Sequence, residues 1–168
     1  FGQQRLWFIQ QFEGGSAAYN MAGALRLRGA LNIEALRAAL EEVVRRHEVL
    51  RTRLAMGADG EPYQQVEPPP CWSLPVEDLS DQRDPEVEAR AQAEAEAVRL
   101  FELNSGCLLR SRLWRLAARD HVLSLTLHHI AADGWSIERL LSELQALYQA
   151  FDAGEDSPLA PLPLQYGD

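Results

Sequence analysis

The sequence contains no lysine. All sixteen cationic side chains are arginine, set against twenty-five carboxylates, and the formal net charge of −9 would meet a phosphate backbone mostly with repulsion. Nucleic acid is therefore excluded as a first-choice partner. Cysteine is almost as scarce: Cys71 and Cys107 have no CxxC or His-flanked spacing, so neither a disulfide framework nor a zinc cage is expected, and a reduced, cytoplasmic setting fits. No apolar run approaches the ~20 residues needed to cross a bilayer, and no basic segment precedes an apolar one at the start, so neither a membrane span nor an export signal is expected. The glycine patterns GxGxxG, the P-loop and the GxSxG elbow are also missing, which removes nucleotide chemistry and a Ser-His-Asp hydrolase from consideration.

What is present is enough for one domain with a real core: 168 residues, 46% of them apolar. The chain opens on Phe1 and closes on the proline-spaced stretch 158–168, and it is expected to be a piece of a longer polypeptide. Its charge is uneven. Residues 1–56 hold eight arginines against five acids, and residues 57–168 hold eight against twenty, a bias that solvated acidic helix faces explain.

Apolar periodicity places the elements. Large apolar residues within 3–12 predict a short helix that breaks at Gly14-Gly15. Alternation over 24–28 predicts a strand with Leu25 and Leu27 on one face and Arg26 and Arg28 on the other. Asn32 can cap a helix whose stripe is Leu36, Ala39, Leu40, Val43, Val44 and His47. Residues 50–56 and 61–66 form a hairpin around the turn 57–60, and prolines make 68–80 irregular or edge-like. Asp84-Pro85-Glu86 starts a helix running to Phe101, with Val87, Ala91, Ala95, Val98 and Phe101 as its inner side. Strands at 108–116 and 122–129 meet at a tip around Arg119-Asp120, and a last helix over 133–151 buries Ile137, Leu140, Leu141, Leu144, Tyr148 and Phe151. The order of elements lacks a strict βαβ alternation. An α/β fold results, a sandwich of layered helices on a mixed sheet.

Chemistry concentrates in residues 125–136. Two histidines, His128 and His129, end a strand, and an Asp-Gly pair opens a helix after a short loop. Strand side chains alternate, so the two imidazoles are expected on opposite faces, His128 with Ser124 and Thr126, and His129 with Leu123, Leu125 and Leu127. Partial burial would keep a neutral base available near pH 7 for an amine or hydroxyl. The bland alternative is a pair of satisfied core imidazoles. Asp133 can cap the helix, hold the loop through an arginine, or do both. Gly134 either relieves backbone strain or lets its amide approach a reacting carbonyl at the helix start. No third ligand accompanies the histidines and Asp133 at a suitable spacing, so no metal is expected.

The segment from His128 to Gly134 resembles the HHxxxDG motif of nonribosomal peptide synthetase condensation domains, relatives of chloramphenicol acetyltransferase. Two further stretches carry the likeness in the right order: residues 4–11 with Ser16 to Asn20 look like the family's first core motif, and residues 46–52, from Arg46 through Arg51 to Thr52, like its second. Residues 162–168 resemble the opening of a fourth. The likeness spans residues 1–168 but only the N-terminal half of such a domain, the first of two acetyltransferase-like lobes, with the C-terminal lobe absent.

The resemblance implies amide formation between a donor acyl or peptidyl thioester and the α-amine of an acceptor. Both would arrive on the phosphopantetheine arms of carrier proteins, with an adenylation domain in the same synthetase and no cofactor bound directly. His129 then accepts or orients a proton beside His128 and Gly134, Asp133 is structural and pairs with Arg51, and Arg46 supports the site or is merely a solvated helix-end arginine. Trp7, Phe8 and Tyr19 are packing residues. Two alternatives stay open: half of an epimerisation domain acting on a carrier-bound peptide, and a non-catalytic scaffold that docks carriers. The fragment alone is expected to fold without condensing.

Overall fold

The computed structural model describes residues 16–58, 62–68, 72–104, 107–132 and 137–162. The element order is β1 (Asn20–Arg28), α1 (Ile33–Arg46), β2 (Thr52–Met56), β3 (Pro62–Val66), β4 (Val76–Asp78), α2 (Pro85–Val98), β5 (Leu109–Ala117), β6 (Asp120–His128), a single turn α3 (His129–Ala132) and α4 (Ile137–Asp152). Short 3-10 turns precede β1 and follow α1. The expected short helix over 3–12 lies outside the described residues.

Four strands form a sheet in the order β1-β6-β5-β4, antiparallel except where the short edge strand β4 runs parallel to β5. This is the mixed sheet expected from the sequence pattern. The hairpin β2-β3 stands as a separate two-stranded sheet, registered from Thr52 opposite Val66 to Met56 opposite Pro62. Helices cover both faces of the larger sheet. On one face, Leu123, Leu125 and Leu127 of β6 with Leu109 and Leu113 of β5 pack against Leu36, Leu40 and Val43 of α1 and Leu140, Leu144 and Leu147 of α4, which together make the main core. On the other, Trp114 and Leu116 pack with Leu79 and with Ala89 of α2.

Local chemistry explains the boundaries. Asn32 Oδ1 accepts the Ala35 N–H at 3.1 Å, its Nδ2 donates to Asp152 at 2.9 Å, and Tyr148 Oη accepts the Asn32 N–H at 3.1 Å, so one residue caps α1 and ties it to the end of α4. Asp84 caps α2 through the Val87 N–H at 3.2 Å, with proline in the first turn as expected. Gly29 leaves β1 at φ 114°, a conformation glycine adopts without the Cβ penalty. Leu25 and Leu27 face the main core, and Arg26 turns the other way to bond Asp120 through two nitrogens (2.9 and 2.6 Å) and Glu86 at 2.8 Å.

Two helix faces depart from the periodic reading. In α2, Val87 and Val98 are 62% and 64% exposed, and the sheet-facing residues are Ala89, Gln92, Ala93, Glu96 and Ala97. The alanine- and glutamate-rich run has little apolar contrast, so two exposed valines outweighed a face made of small and hydrogen-bonding side chains. Phe101 is buried as expected but lies beyond the helix, whose last residue is Val98. In α4, Leu140 and Leu144 are buried as expected, yet Ile137 is 37% exposed, and Glu143, Leu147 and Ala150 take inward places that the stripe omitted.

The fully buried Trp114 donates its Nε1–H to Gln92 Oε1 at 2.8 Å, a polar link between the sheet and α2. Replacing Gln92 with leucine leaves that donor unpaired, and we expect a loss of about 1–3 kcal/mol in urea denaturation. Adding Trp114→Phe to Gln92→Leu should recover part of the hydrogen-bond loss, which a double-mutant cycle would measure.

Candidate active site

β6 is the best-enclosed strand of the sheet, with β1 and β5 on its edges and helices over its faces, and every residue from Leu123 to His128 is buried. Its last residue, His128, is 1% exposed and stands on the face of Ser124 and Thr126, as alternation requires. The chain then switches from strand to helix. Ile130 and Ala131 enter the core, each 1% exposed, while His129 at the head of α3 points to solvent.

The switch corrects the expectation for His129. Parity with Leu123, Leu125 and Leu127 holds only while the backbone stays extended, and the extended segment ends one residue before it. His129 is therefore exposed rather than partly buried, and the buried imidazole is His128.

His128 is held from several sides. Its Nδ1 accepts the Ile130 N–H at 3.1 Å, which leaves the neutral ring's proton on Nε2. Nε2 is buried with no hydrogen-bond partner among the described residues. The ring meets Phe101 edge-on, with centroids 5.6 Å apart at 78°, and lies 6.2 Å from Tyr19. Burial, aided by the charges of His129 and Arg110, pushes its pKa down to about 4.

The polar groups around the end of α2 converge on the same place. Asn20, the register partner of His128, donates through Nδ2 to the carbonyls of Ala97 and Arg99, both at 2.8 Å. Arg110 donates to the carbonyls of Leu100, Glu96 and Arg99 at 3.0, 2.9 and 2.7 Å, and its guanidinium carbon sits 3.9 Å from the centre of the Phe101 ring. Arg110 was not singled out by sequence reasoning, and Asn20 and Phe101 were named only as the end of the first motif and as part of a helix face. Phe101 carried a signal as the last inward apolar residue of the expected helix, but nothing local pairs it with His128.

The supporting residues divide. Asp133 and Gly134 lie outside the described residues, and the expected Asp133–Arg51 pair with them. Arg51 is half-buried, donating to the Glu67 carbonyl at 2.7 Å and pairing with Glu48 at 3.3 Å. Arg46 is not the solvated helix-end arginine of the bland reading. It is 9% exposed, with Nε 3.7 Å from the Glu143 carboxylate and Nη1 donating to the Leu159 carbonyl at 3.4 Å. His47 ends α1 beside it and bonds Glu143 at 2.8 Å, and Arg139 approaches the other carboxylate oxygen at 3.4 Å. Burial holds the His47 pKa below its ordinary value. Burial works against the charge on Glu143, but His47, Arg139 and Arg46 keep its carboxyl below the usual range. A neutral His47 donating to an ionised Glu143 satisfies both shifts.

A groove of about 370 Å³ runs between α2 and β1, past Ala22, Ala24, Ala89, Ala93 and Thr126, but neither histidine lines it. Among the described residues, no three His, Cys, Asp or Glu side chains are placed to hold a metal ion, and no helix is long and apolar enough to cross a membrane.

A helix-covered mixed sheet that presents a buried and an exposed histidine at the end of its central strand defines a class, the chloramphenicol acetyltransferase-like lobe. Within that class the chain belongs to the condensation-domain family, whose model matches residues 1–168. It is 45% identical over 168 residues to chondramide synthase cmdD of Chondromyces crocatus, covering 99% of this chain and 4% of that protein. Phosphinothricin tripeptide synthetase PhsC of Streptomyces viridochromogenes is 44% identical over 172 residues, covering 100% of this chain and 16% of the relative. Among solved structures, the starter condensation domain of the rhizomide synthetase RzmA superposes with a TM-score of 0.85 at 28% identity, covering 95% of this chain and 38% of the other. The first condensation domain of the calcium-dependent antibiotic synthetase, in complex with a substrate analogue, gives 0.82 at 29%, covering 94% and 38%. The chain thus spans a small part of these synthetases and about two fifths of the solved chains.

The pKa of His128 sets a stability slope. Unfolded, this imidazole takes up a proton below about 6.5, whereas folded it does so only near 4, so its contribution is complete above pH 6.5 and is lost as pH falls toward 4. The loss should reach about 3 kcal/mol at about 1.4 kcal/mol per unit. Urea midpoints at pH 7 and pH 4.5 should differ less in His128→Gln than in the parent. The remaining slope would come from His47 and His121, whose pKa values burial also lowers.

Proposed function

We propose that this chain is the N-terminal, histidine-bearing lobe of a catalyst that forms amide bonds in nonribosomal peptide synthesis. The observation that carries this reading is the exposed His129 at the head of α3, anchored by the buried Ile130 and Ala131 beside it and seated on the neutral His128. An exposed imidazole with its backbone held on both sides can accept a proton from an attacking amine, or orient that amine and stabilise its developing charge. The relatives agree in kind, since one of them is by name a tripeptide synthetase.

On this reading the donor is an acyl or peptidyl thioester and the acceptor an aminoacyl thioester. Each is carried on the phosphopantetheine arm of a carrier protein, with an adenylation domain loading the carrier in the same synthetase. The amine nitrogen attacks the thioester carbonyl, the amide bond forms as the carbon–sulfur bond breaks, and the thiol leaves on the donor arm. His129 handles the amine proton. In this proposal the Gly134 amide would meet the developing oxyanion, and Asp133 would pair with Arg51 in a supporting role. A second lobe closes the site, so the 168-residue chain alone folds without condensing.

His129→Ala in the intact condensation domain, supplied with loaded donor and acceptor carriers, should slow amide formation on the order of 10²- to 10⁴-fold without loss of folding. An unchanged rate would favour a carrier-docking scaffold and retire the acid–base role. A donor incubated without an acceptor should keep its stereochemistry, and racemisation at its α-carbon would point to an epimerase instead.

A further inference from the structure

We infer that Arg110 and Phe101 are positioning residues for His129, acting through His128; the inference rests on the acid–base role proposed above. The line of contacts is continuous. Arg110 is fixed by three carbonyls at the C-terminal end of α2, those of Glu96, Arg99 and Leu100. Its guanidinium lies 3.9 Å over the Phe101 ring, and the edge of that ring meets His128 at a centroid distance of 5.6 Å. His128 in turn accepts the Ile130 N–H at 3.1 Å, the hydrogen bond next along the chain from His129.

Each link restricts a particular freedom. The helix carbonyls and the guanidinium are complementary in charge, so Arg110 is held flat where it stacks on the aromatic face. Phe101, 5% exposed, is then clamped between the guanidinium and the imidazole and cannot swing away. An edge-to-face ring fixes the plane of His128, and that plane aims Nδ1 at the Ile130 amide. If His128 rotates, the amide loses its acceptor, and the turn that presents His129 is released from the end of β6. The Nε2–H of His128 has no partner among the described residues, so the Ile130 N–H to Nδ1 bond and the ring contacts are what orient the imidazole.

Lysine at 110 keeps the charge but not the planar fork or the stack, and leucine at 101 keeps burial but not the ring edge. In the intact condensation domain with both carriers loaded, Arg110→Lys and Phe101→Leu should each lower kcat roughly 10- to 100-fold, the penalty of misplacing a catalytic group by about an ångström, while KM for both carriers stays unchanged. Amide hydrogen exchange at Ile130 should accelerate in both.

Gln92→Leu serves as the control, because it loosens α2 at its hydrogen bond to Trp114 without touching the ring stack. It should lower the melting temperature and leave kcat near the parent value. Full kcat in folded Arg110→Lys and Phe101→Leu, alongside a His129→Ala variant that has lost activity, would overturn this inference alone. An active His129→Ala would overturn it together with the proposed function. An equal loss of kcat in Gln92→Leu would assign the effect to general loosening of α2 and remove the ring relay.

Discussion

The site depends on an imidazole that burial keeps neutral at pH 7. His128 closes the most enclosed strand of the sheet, and its surroundings offer burial, an aromatic contact and the positive charge of nearby Arg110. Burial and like charge both disfavour the imidazolium. A ring kept neutral has one nitrogen free to accept, and the Ile130 amide takes that position. The hydrogen bond falls at the point where an extended chain must become helical. One desolvated side chain therefore satisfies a backbone donor at the start of α3 and fixes the direction in which the next residue leaves the sheet. The exposure of His129 is the other side of the same constraint: with Ile130 and Ala131 drawn into the core, the first residue of the turn is directed outward.

A second polar cluster repeats this logic between the two helices of the main core. Glu143 faces inward from the middle of α4, an expensive place for a carboxylate, and is compensated by His47 and Arg46 from the end of α1 and by Arg139 on its own helix. Since Arg46 and His47 lead directly into the turn that carries Glu48 and Arg51, the cluster joins the helix after the histidine loop to the segment that bears Arg51. The helix pair α1 and α4 is thereby linked by buried charge at one end and, at the other, by Asn32, which caps the first helix while donating to Asp152 and to Tyr148. Apolar packing alone would allow the two helices to slide, but the two polar links fix their register.

Much of this was legible in the sequence because it follows from periodicity. The α1 stripe, the Asn32 and Asp84 caps, the β2-β3 hairpin, the edge character of β4 and the opposite faces of Leu25 and Arg26 all rest on patterns a few residues long. The readings that failed required information from elsewhere in the chain. The inner face of α2 is chosen by Trp114 and the sheet arginines, and the alanines and glutamates of that helix do not announce it. Glu143 reads as a surface acid until His47, 96 residues earlier, is placed beside it. The partial burial expected of His129 came from extending strand alternation one residue too far, into a turn whose backbone no longer alternates.

That last difference alters the chemical argument for His129 without removing it. A partly buried base is shielded from water by its own lobe, whereas an exposed one sits in water until something covers it. In this chain the buried imidazole is His128, and burial acts geometrically: it stiffens the support beneath an exposed imidazole. Under the proposed function, the dry environment for proton transfer between amine and imidazole would come from outside this sheet and its helices, from the substrate arms and the part of the domain that the solved relatives contain beyond the two fifths matched here. The lobe contributes an aimed group on a rigid base, and the enclosure of that group is a property of the whole domain.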